Sequence, residues 1–109
     1  MQRVIKMLRI DTEFRKGIFF IRLNGRLDKN ENLDKMERII ENVGIKYVVL
    51  NTSNLRMLDV NTINYIINYN DKILKSKRHL LICDTNTNRK RIFNNIPKIN
   101  CEIEAFALI

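Results

Sequence analysis

The stretch "IKYVVLNTSNLRMLDVNTINYI", residues 45–66, changes its hydrophobic period part-way along. Its first part, with the β-branched and aromatic run Tyr47 to Asn51, reads as a strand. Its last part opens a longer segment, DVNTINYIINYNDKILKSK, in which Ile63, Ile66, Ile67, Ile73 and Leu74 recur at helical spacing. Asp59 stands at the junction, where it or Asn61 can cap the helix. A helix start leaves backbone N–H groups unpaired, and Asp is among the residues that satisfy them best. Capping alone therefore accounts for Asp59.

The same two periods alternate along the rest of the chain. Ile18 to Leu23 (IFFIRL) and Leu80 to Asp84 (LLICD) read as further strands. VIKMLRIDTEF can pair with the first of these as a hairpin turning at Gly17. NENLDKMERIIENVG carries Leu33, Met36, Ile39, Ile40 and Val43 on one helical face, with Asn30 or Asn32 as cap and Gly44 as stop. TNTNRKRIFNNIP predicts a short helix with Ile92, Phe93 and Ile96 inward and Pro97 at its end. INCEIEAFALI predicts a last strand that turns helical at its finish, its Ile103, Phe106 and Leu108 covering the sheet or a neighbouring subunit.

The expected order is strand, strand, helix, strand, helix, strand, helix, strand. That order implies an α/β fold, a mixed sheet of about five strands with three to four helices in right-handed crossovers, antiparallel only at the opening hairpin. A chain of 109 residues with 45% hydrophobic residues suits one domain, residues 1–109. No apolar run approaches the length of a membrane span, and the charged start MQRVIKMLRIDTEF is unlike a signal peptide. A cytoplasmic protein is expected.

Composition narrows the chemistry. Cys83 and Cys101 are too far apart for a CxxC motif and both lie in apolar segments, so two buried reduced thiols are expected rather than a disulfide. The chain has one histidine, His79, so no cluster with metal-ligand spacing can form, and neither a metal nor a cofactor is expected. It has 3 glycines and no phosphate-cradling or nucleophile-elbow motif, which disfavours an enzyme. The formal net charge of +8 invites a nucleic-acid reading. The basic residues are scattered without interleaved aromatics, so a solvated surface is the favoured reading and nucleic acid is not expected as a partner.

From about Gly17 onward the chain resembles a STAS domain, the fold of bacterial anti-sigma-factor antagonists, also found in sulphate transporters and stressosome proteins. IFFIRLNGRLD resembles the family's second strand and G-x-L-D turn through Gly25, Leu27 and Asp28. IKYVVLNTSNLRMLD matches its strand and junction through Leu55, Leu58 and Asp59, and LLICDTNTNRKRIF matches through Cys83, Lys90, Arg91 and Phe93.

The resemblance implies a non-enzymatic regulatory module that binds an anti-sigma serine kinase or another ATPase. Its contacts would come from Asp59, Val60, Asn61 and Thr62 with the loop from Asp28 to Asn32. In the antagonists a phosphorylatable Ser follows the junction Asp, then Ser or Thr, then Gly. Here the order is Asp59, Val60, Asn61, Thr62, and a valine has no hydroxyl. Thr62, Thr52 and Ser53 are the displaced candidates for phosphorylation. The alternative is a subunit of a larger assembly, stressosome-like or linked to a transport ATPase, perhaps homodimeric, with Tyr65 and Tyr69 as a contact face.

Overall fold

The structure is a computed structural model and describes residues 9–26, 38, 41, 45–57 and 60–108. Five strands form one sheet in the order β1-β2-β3-β4-β5: β1 Arg9–Arg15, β2 Ile18–Arg26, β3 Tyr47–Met57, β4 His79–Cys83 and β5 Lys98–Ile99. Only the β1–β2 pair is antiparallel; the other three pairs are parallel. The hairpin is tight because Lys16 and Gly17 both take positive φ, 51° and 83°, so that Arg15 pairs directly with Ile18. Two positive-φ residues give the turn whose twist matches that of the strands. The helix expected over residues 30–44 falls largely outside the described residues; Arg38 and Glu41 are helical.

Alternation along β2, β3 and β4 divides the core into two layers. Phe19, Ile21, Leu23, Val48, Leu50, Leu80 and Ile82 face one side. There they meet Ile63, Ile66, Tyr69 and Ile73 of helix α1 (Val60–Lys75) and Phe93 and Ile96. Ile18, Phe20, Val49, Leu81 and Cys83 face the other side and meet Ile99 and Ala105. The α1 stripe differs from the expected one. Tyr69 is buried and Leu74 is 49% exposed, because the face pressed on the sheet runs through Thr62, Ile66, Tyr69 and Ile73, a 3.6-residue stripe that includes polar members.

β3 departs from regular pairing with β2, taking one extra residue between Arg22 and Asn24 and another between Gly25 and Arg26. A bulge of this kind shifts the alternation by one. Leu55 therefore returns to the helix-side core with Val48 and Leu50, although its odd position would otherwise put it on the opposite face. β3 pairs with β4 only from Tyr47 to Asn51, while it stays paired with β2 as far as Met57. Beyond Asn51 the two central strands part.

The segment after β4 is more tightly wound than expected. Helix α2 covers only Thr87–Lys90, capped by Asn86, whose Oδ1 accepts from Arg89 N at 3.0 Å. Afterwards Ile92 N bonds Arg89 O and Phe93 N bonds Lys90 O, three residues back. Three-residue winding puts i and i+3 in line. Lys90 and Phe93 are accordingly buried, whereas Ile92, expected inward, is exposed; Ile96 is buried beyond Asn95, whose φ of 68° ends the winding. Pro97 precedes β5 and its carbonyl accepts from Ile82 N at 2.9 Å, so it opens a strand and does not end a helix.

β5 is only two residues long, where a longer closing strand was expected. Glu104 Oε1 accepts from the backbone N–H groups of Asn100 and Cys101, at 3.1 and 3.2 Å. Those donors are lost to any ladder, and the chain turns into a 3₁₀ turn, Glu102–Glu104, and a one-turn helix α3, Ala105–Leu108. This carboxyl-terminal strap covers the second face through Ala105 and Phe106. Of the residues expected to cover the sheet or a neighbouring subunit, Phe106 packs on the sheet, while Ile103 and Leu108 do not and are exposed, at 72% and 63%. Cys83 is buried beneath the strap and Cys101 is exposed; both are free thiols, so the expectation of two buried thiols holds for Cys83 alone. Burial, with the Glu102 charge nearby, pushes the Cys83 thiol up to about 12, which keeps it protonated and inert.

The strap is pinned by charge. Arg22 of β2 grips Glu102 with Nε at 2.8 Å and Nη2 at 2.7 Å, and Nη2 also donates to Glu13 at 2.7 Å. Asn51 Nδ2 donates to the same Glu102 carboxylate at 2.8 Å. The Arg22 contact holds the Glu102 carboxyl below its ordinary value, with Asn51 assisting and burial opposing. A depressed carboxyl stabilises the fold above its unfolded pKa, and that contribution disappears as pH falls through the folded value. Glu102→Gln should cost on the order of 1 kcal/mol at neutral pH, after allowance for partial exposure. Urea unfolding midpoints should show this deficit shrinking as pH falls below the ordinary carboxylate range.

Candidate partner-binding site

Where β3 and β4 part, their carboxyl ends frame a fork, and a buried carboxylate occupies it. Asp84, directly after β4, has no exposed surface. Its Oδ2 accepts from the Thr52 hydroxyl at 2.6 Å and its Oδ1 from Asn86 N at 2.8 Å. Arg89 supplies the countercharge, its Nε lying 2.8 Å from Oδ2 as an ion pair, with the N–H not aligned for a hydrogen bond. The remaining guanidinium nitrogens turn toward β3. Nη1 donates to Leu55 O at 2.7 Å, and Nη2 lies 3.5 Å from Ser53 O.

This arrangement fixes the strand that leads to α1. The bulged residues of β3 have lost β4 as a hydrogen-bonding neighbour, and Arg89 takes its place for the Leu55 carbonyl. Ser53 adds a tie from the other side, its Oγ accepting from Thr85 N at 3.2 Å. An outer polar row, Asn54 Nδ2 to Asn24 Oδ1 at 3.0 Å and Asn24 Nδ2 to Asp11 Oδ2 at 3.2 Å, carries the support to β1.

The residues expected to make contacts divide three ways. Asp28 and Asp59, with the loop from Asp28 to Asn32, lie outside the described residues. Val60 and Asn61 are exposed on the first turn of α1, Val60 at 70%. Asn61 lies inside the helix, so of the two expected caps it is not the one at the helix boundary. Thr62 is buried at 3%. Of the other displaced phosphorylation candidates, Thr52 is buried against Asp84 and Ser53 is half-buried.

Tyr65 and Tyr69 stack on each other with centroids 6.4 Å apart, and Tyr69 belongs to the core. His79 begins β4 and stacks on Tyr47 at 5.4 Å. Among the described residues no group of His, Cys, Asp and Glu could hold a metal ion, and no helix is long and apolar enough to cross a membrane.

Sequence reasoning missed Arg89. It stands in a basic run, NRKR, among the charges read as solvated surface, and Asp84 is read only as the end of the strand LLICD. The available signal was an acid directly after a core strand and a base five positions later, close enough to fold back on it.

The fold defines a small α/β domain in which the braced end of β3 leads toward a helix whose first turn exposes Val60 and Asn61. The STAS domain family model matches residues 9–101, and the chain belongs to that family. The solved structure of the anti-sigma factor antagonist SpoIIAA in its unphosphorylated form superposes with a TM-score of 0.71, covering 93% of this chain and 94% of that one at 13% identity. An anti-sigma factor antagonist from Mycobacterium paratuberculosis gives 0.75 over 94% of each chain, also at 13% identity. A protein with a SpoIIAA-like fold from Shewanella loihica gives 0.61 over 99% of this chain and 98% of that one at 15% identity. At such identities these likenesses establish the fold alone.

The ion pair at the fork can be tested by a double-mutant cycle. Arg89→Met leaves Asp84 buried without its countercharge and should cost about 3 kcal/mol. Combining it with Asp84→Asn should recover at least roughly 1 kcal/mol of that loss, since contacting residues are not additive. Additive losses in chemical denaturation would contradict the pairing.

Proposed function

We propose that this chain is a regulatory binding module that engages a serine-kinase-type ATPase through the β3–α1 junction and stays engaged because it cannot be phosphorylated there. The contact runs through Val60 and Asn61, which are exposed on the first turn of α1, together with Asp59 and Asp28 as the family resemblance implies; Thr62, expected among the contacts, is buried. The observation that carries the reading is the exposure of Val60: an apolar side chain projects from the first turn of α1 at the place where related antagonists carry their phosphorylatable serine. Scattered exposed apolar residues are common on soluble proteins. This one stands on the first turn of α1, and the end of β3 that precedes it is braced by Asp84 and Arg89, which suits a surface presented to a partner in one conformation.

The neighbouring hydroxyls do not replace the missing serine. Thr52 and Thr62 are buried, and Ser53 is engaged with Thr85, so a kinase would have to unfold the strand or helix start to reach them. A phosphate at a partner-facing helix start adds nearly two negative charges and disrupts docking by repulsion and desolvation. Valine removes that switch and adds a small apolar contact. The protein on this reading acts by binding and not by catalysis, in the cytoplasm of a bacterial cell.

Affinity capture of the tagged protein from its own cells tests this. Wild type should bring down a serine-kinase-type ATPase, and Val60→Glu should lower its recovery at least tenfold, roughly 1.4 kcal/mol or more. Val60→Ser should take up phosphate from the captured kinase and ATP, while wild type should not. Equal recovery with Val60→Glu, or stoichiometric phosphate on Thr62, would overturn the reading. Recovery of copies of the chain alone would favour the assembly role.

A further inference from the structure

At the opposite end of the sheet, where the parallel strands begin, the fold gathers positive charge. Ile18, Tyr47 and His79 are in register across β2, β3 and β4, so the residues just before them form one row. Lys16 precedes β2 across the hairpin turn, Lys46 precedes β3, and Lys77 and Arg78 precede β4. The row is closely knit, since His79 N donates to Lys46 O at 2.8 Å. α1 ends at the same place, adding Lys75, because Lys77 N and Arg78 N bond back to Leu74 O and Ile73 O. Helix-end lysines are explained by the helix dipole. Arg15 and Lys16 belong to a hairpin, where that explanation fails.

Among the described residues, Lys16, Lys46, Lys75 and Lys77 at this end are exposed. Of the described carboxylates, Glu41 and Asp71 lie on the α1 side, Glu41 sharing a hollow with Arg78; Glu13 is engaged with Arg22 and also pairs with Arg15 at 3.5 Å, and Glu102, engaged with Arg22, borders the hollow beside Arg15 and Lys16. Apolar groups do accompany the charge. Arg15 and Lys16 stand over the Phe106 ring at 5.7 and 5.6 Å, and with Ile103 they line an open hollow of about 470 Å³. Ile103 is 72% exposed and Leu74 is 49% exposed.

We infer that this amino-end pole docks on an anionic phospholipid membrane, leaving the β3–α1 junction at the far end of the strands free for a protein partner. Basic side chains around exposed aliphatic ones suit a headgroup surface: the charges attract the anionic layer, and Ile103 enters its apolar margin. A single-stranded nucleic acid would need open aromatic faces for stacking. Here the Phe106 ring lies beneath Arg15 and Lys16, and the Tyr47 ring is stacked on His79 and approached by Lys46 at 5.7 Å. That leaves Phe14, 59% exposed, as a lone open ring near this end among the described residues, too few for a run of stacked bases.

Sedimentation with vesicles tests the inference. The full chain should bind vesicles of equal parts phosphatidylcholine and phosphatidylserine, and not vesicles of phosphatidylcholine alone. Binding should fall steeply between about 0.1 M and about 1 M salt, where screening shortens to a few ångströms. Neutralising one basic residue at such a surface costs about fivefold. Lys16→Asn with Lys46→Gln should therefore weaken binding about twentyfold, Ile103→Ser should weaken it severalfold, and Val60→Glu should leave it unchanged. If the lysine pair proves unstable on heating, Arg15→Gln with Lys75→Gln should give the same loss. Binding equal on both vesicle types, no binding to the mixed vesicles, wild-type binding by the neutralised variants, or tighter binding to a single-stranded oligonucleotide at matched phosphate would overturn the inference.

Discussion

A carboxylate sealed from water, Asp84, sits in the fork where β3 leaves β4, and the placing of the β3–α1 junction depends on how that charge is satisfied. Thr52 and the Asn86 amide use its lone pairs, and Arg89 neutralises it. Because the same guanidinium also holds the Leu55 carbonyl, the ion pair doubles as a strut for the bulged end of β3. Buried ion pairs add little net stability compared with apolar packing, since desolvation offsets most of the attraction. What this one contributes is position: β3 is held away from β4 and stays paired with β2 as far as Met57.

The two faces of the sheet have different roles. The helix side carries the larger core, with α1, Phe93 and Ile96 packed over the strands. The second side is closed by the strap that Arg22 and Asn51 fasten through Glu102. A shallow strap leaves Ile103 and the Phe106 margin near the surface, beside the basic row at the strand starts. The carboxyl end of the sheet thus carries the braced end of β3 and, on the first turn of α1, the exposed Val60, and the amino end presents charge around aliphatic side chains.

Strand identities and their parallel order were legible in the sequence because β-branched runs separated by helical periods admit few topologies. IFFIRL, YVVLN and LLIC all form strands as read, and the Gly17 hairpin is the antiparallel pair. Winding was less legible. A tight turn and an α-helix both bury Phe93, and the chain reversal at Asn95, with φ 68°, returns Ile96 inward, so hydrophobic periodicity could not separate them. The bulges in β3 were also hidden, since NTSNLRM alternates too weakly to reveal a shift of face. At the site, Val60, Asn61 and Thr62 were named from the sequence, but the brace was not, because its parts lie far apart along the chain and each had a simpler local reading.

The claim that most needs testing is that the junction binds its partner without a phosphate switch. The direct measurement is calorimetric titration of the captured serine-kinase-type ATPase against the wild-type protein, with and without ATP and magnesium, followed by intact-mass analysis. The account predicts no phosphorylation-driven release, with the affinity held through prolonged incubation and the mass of the chain unchanged. Tenfold or greater weakening that develops with ATP, together with a phosphate on the chain, would contradict it.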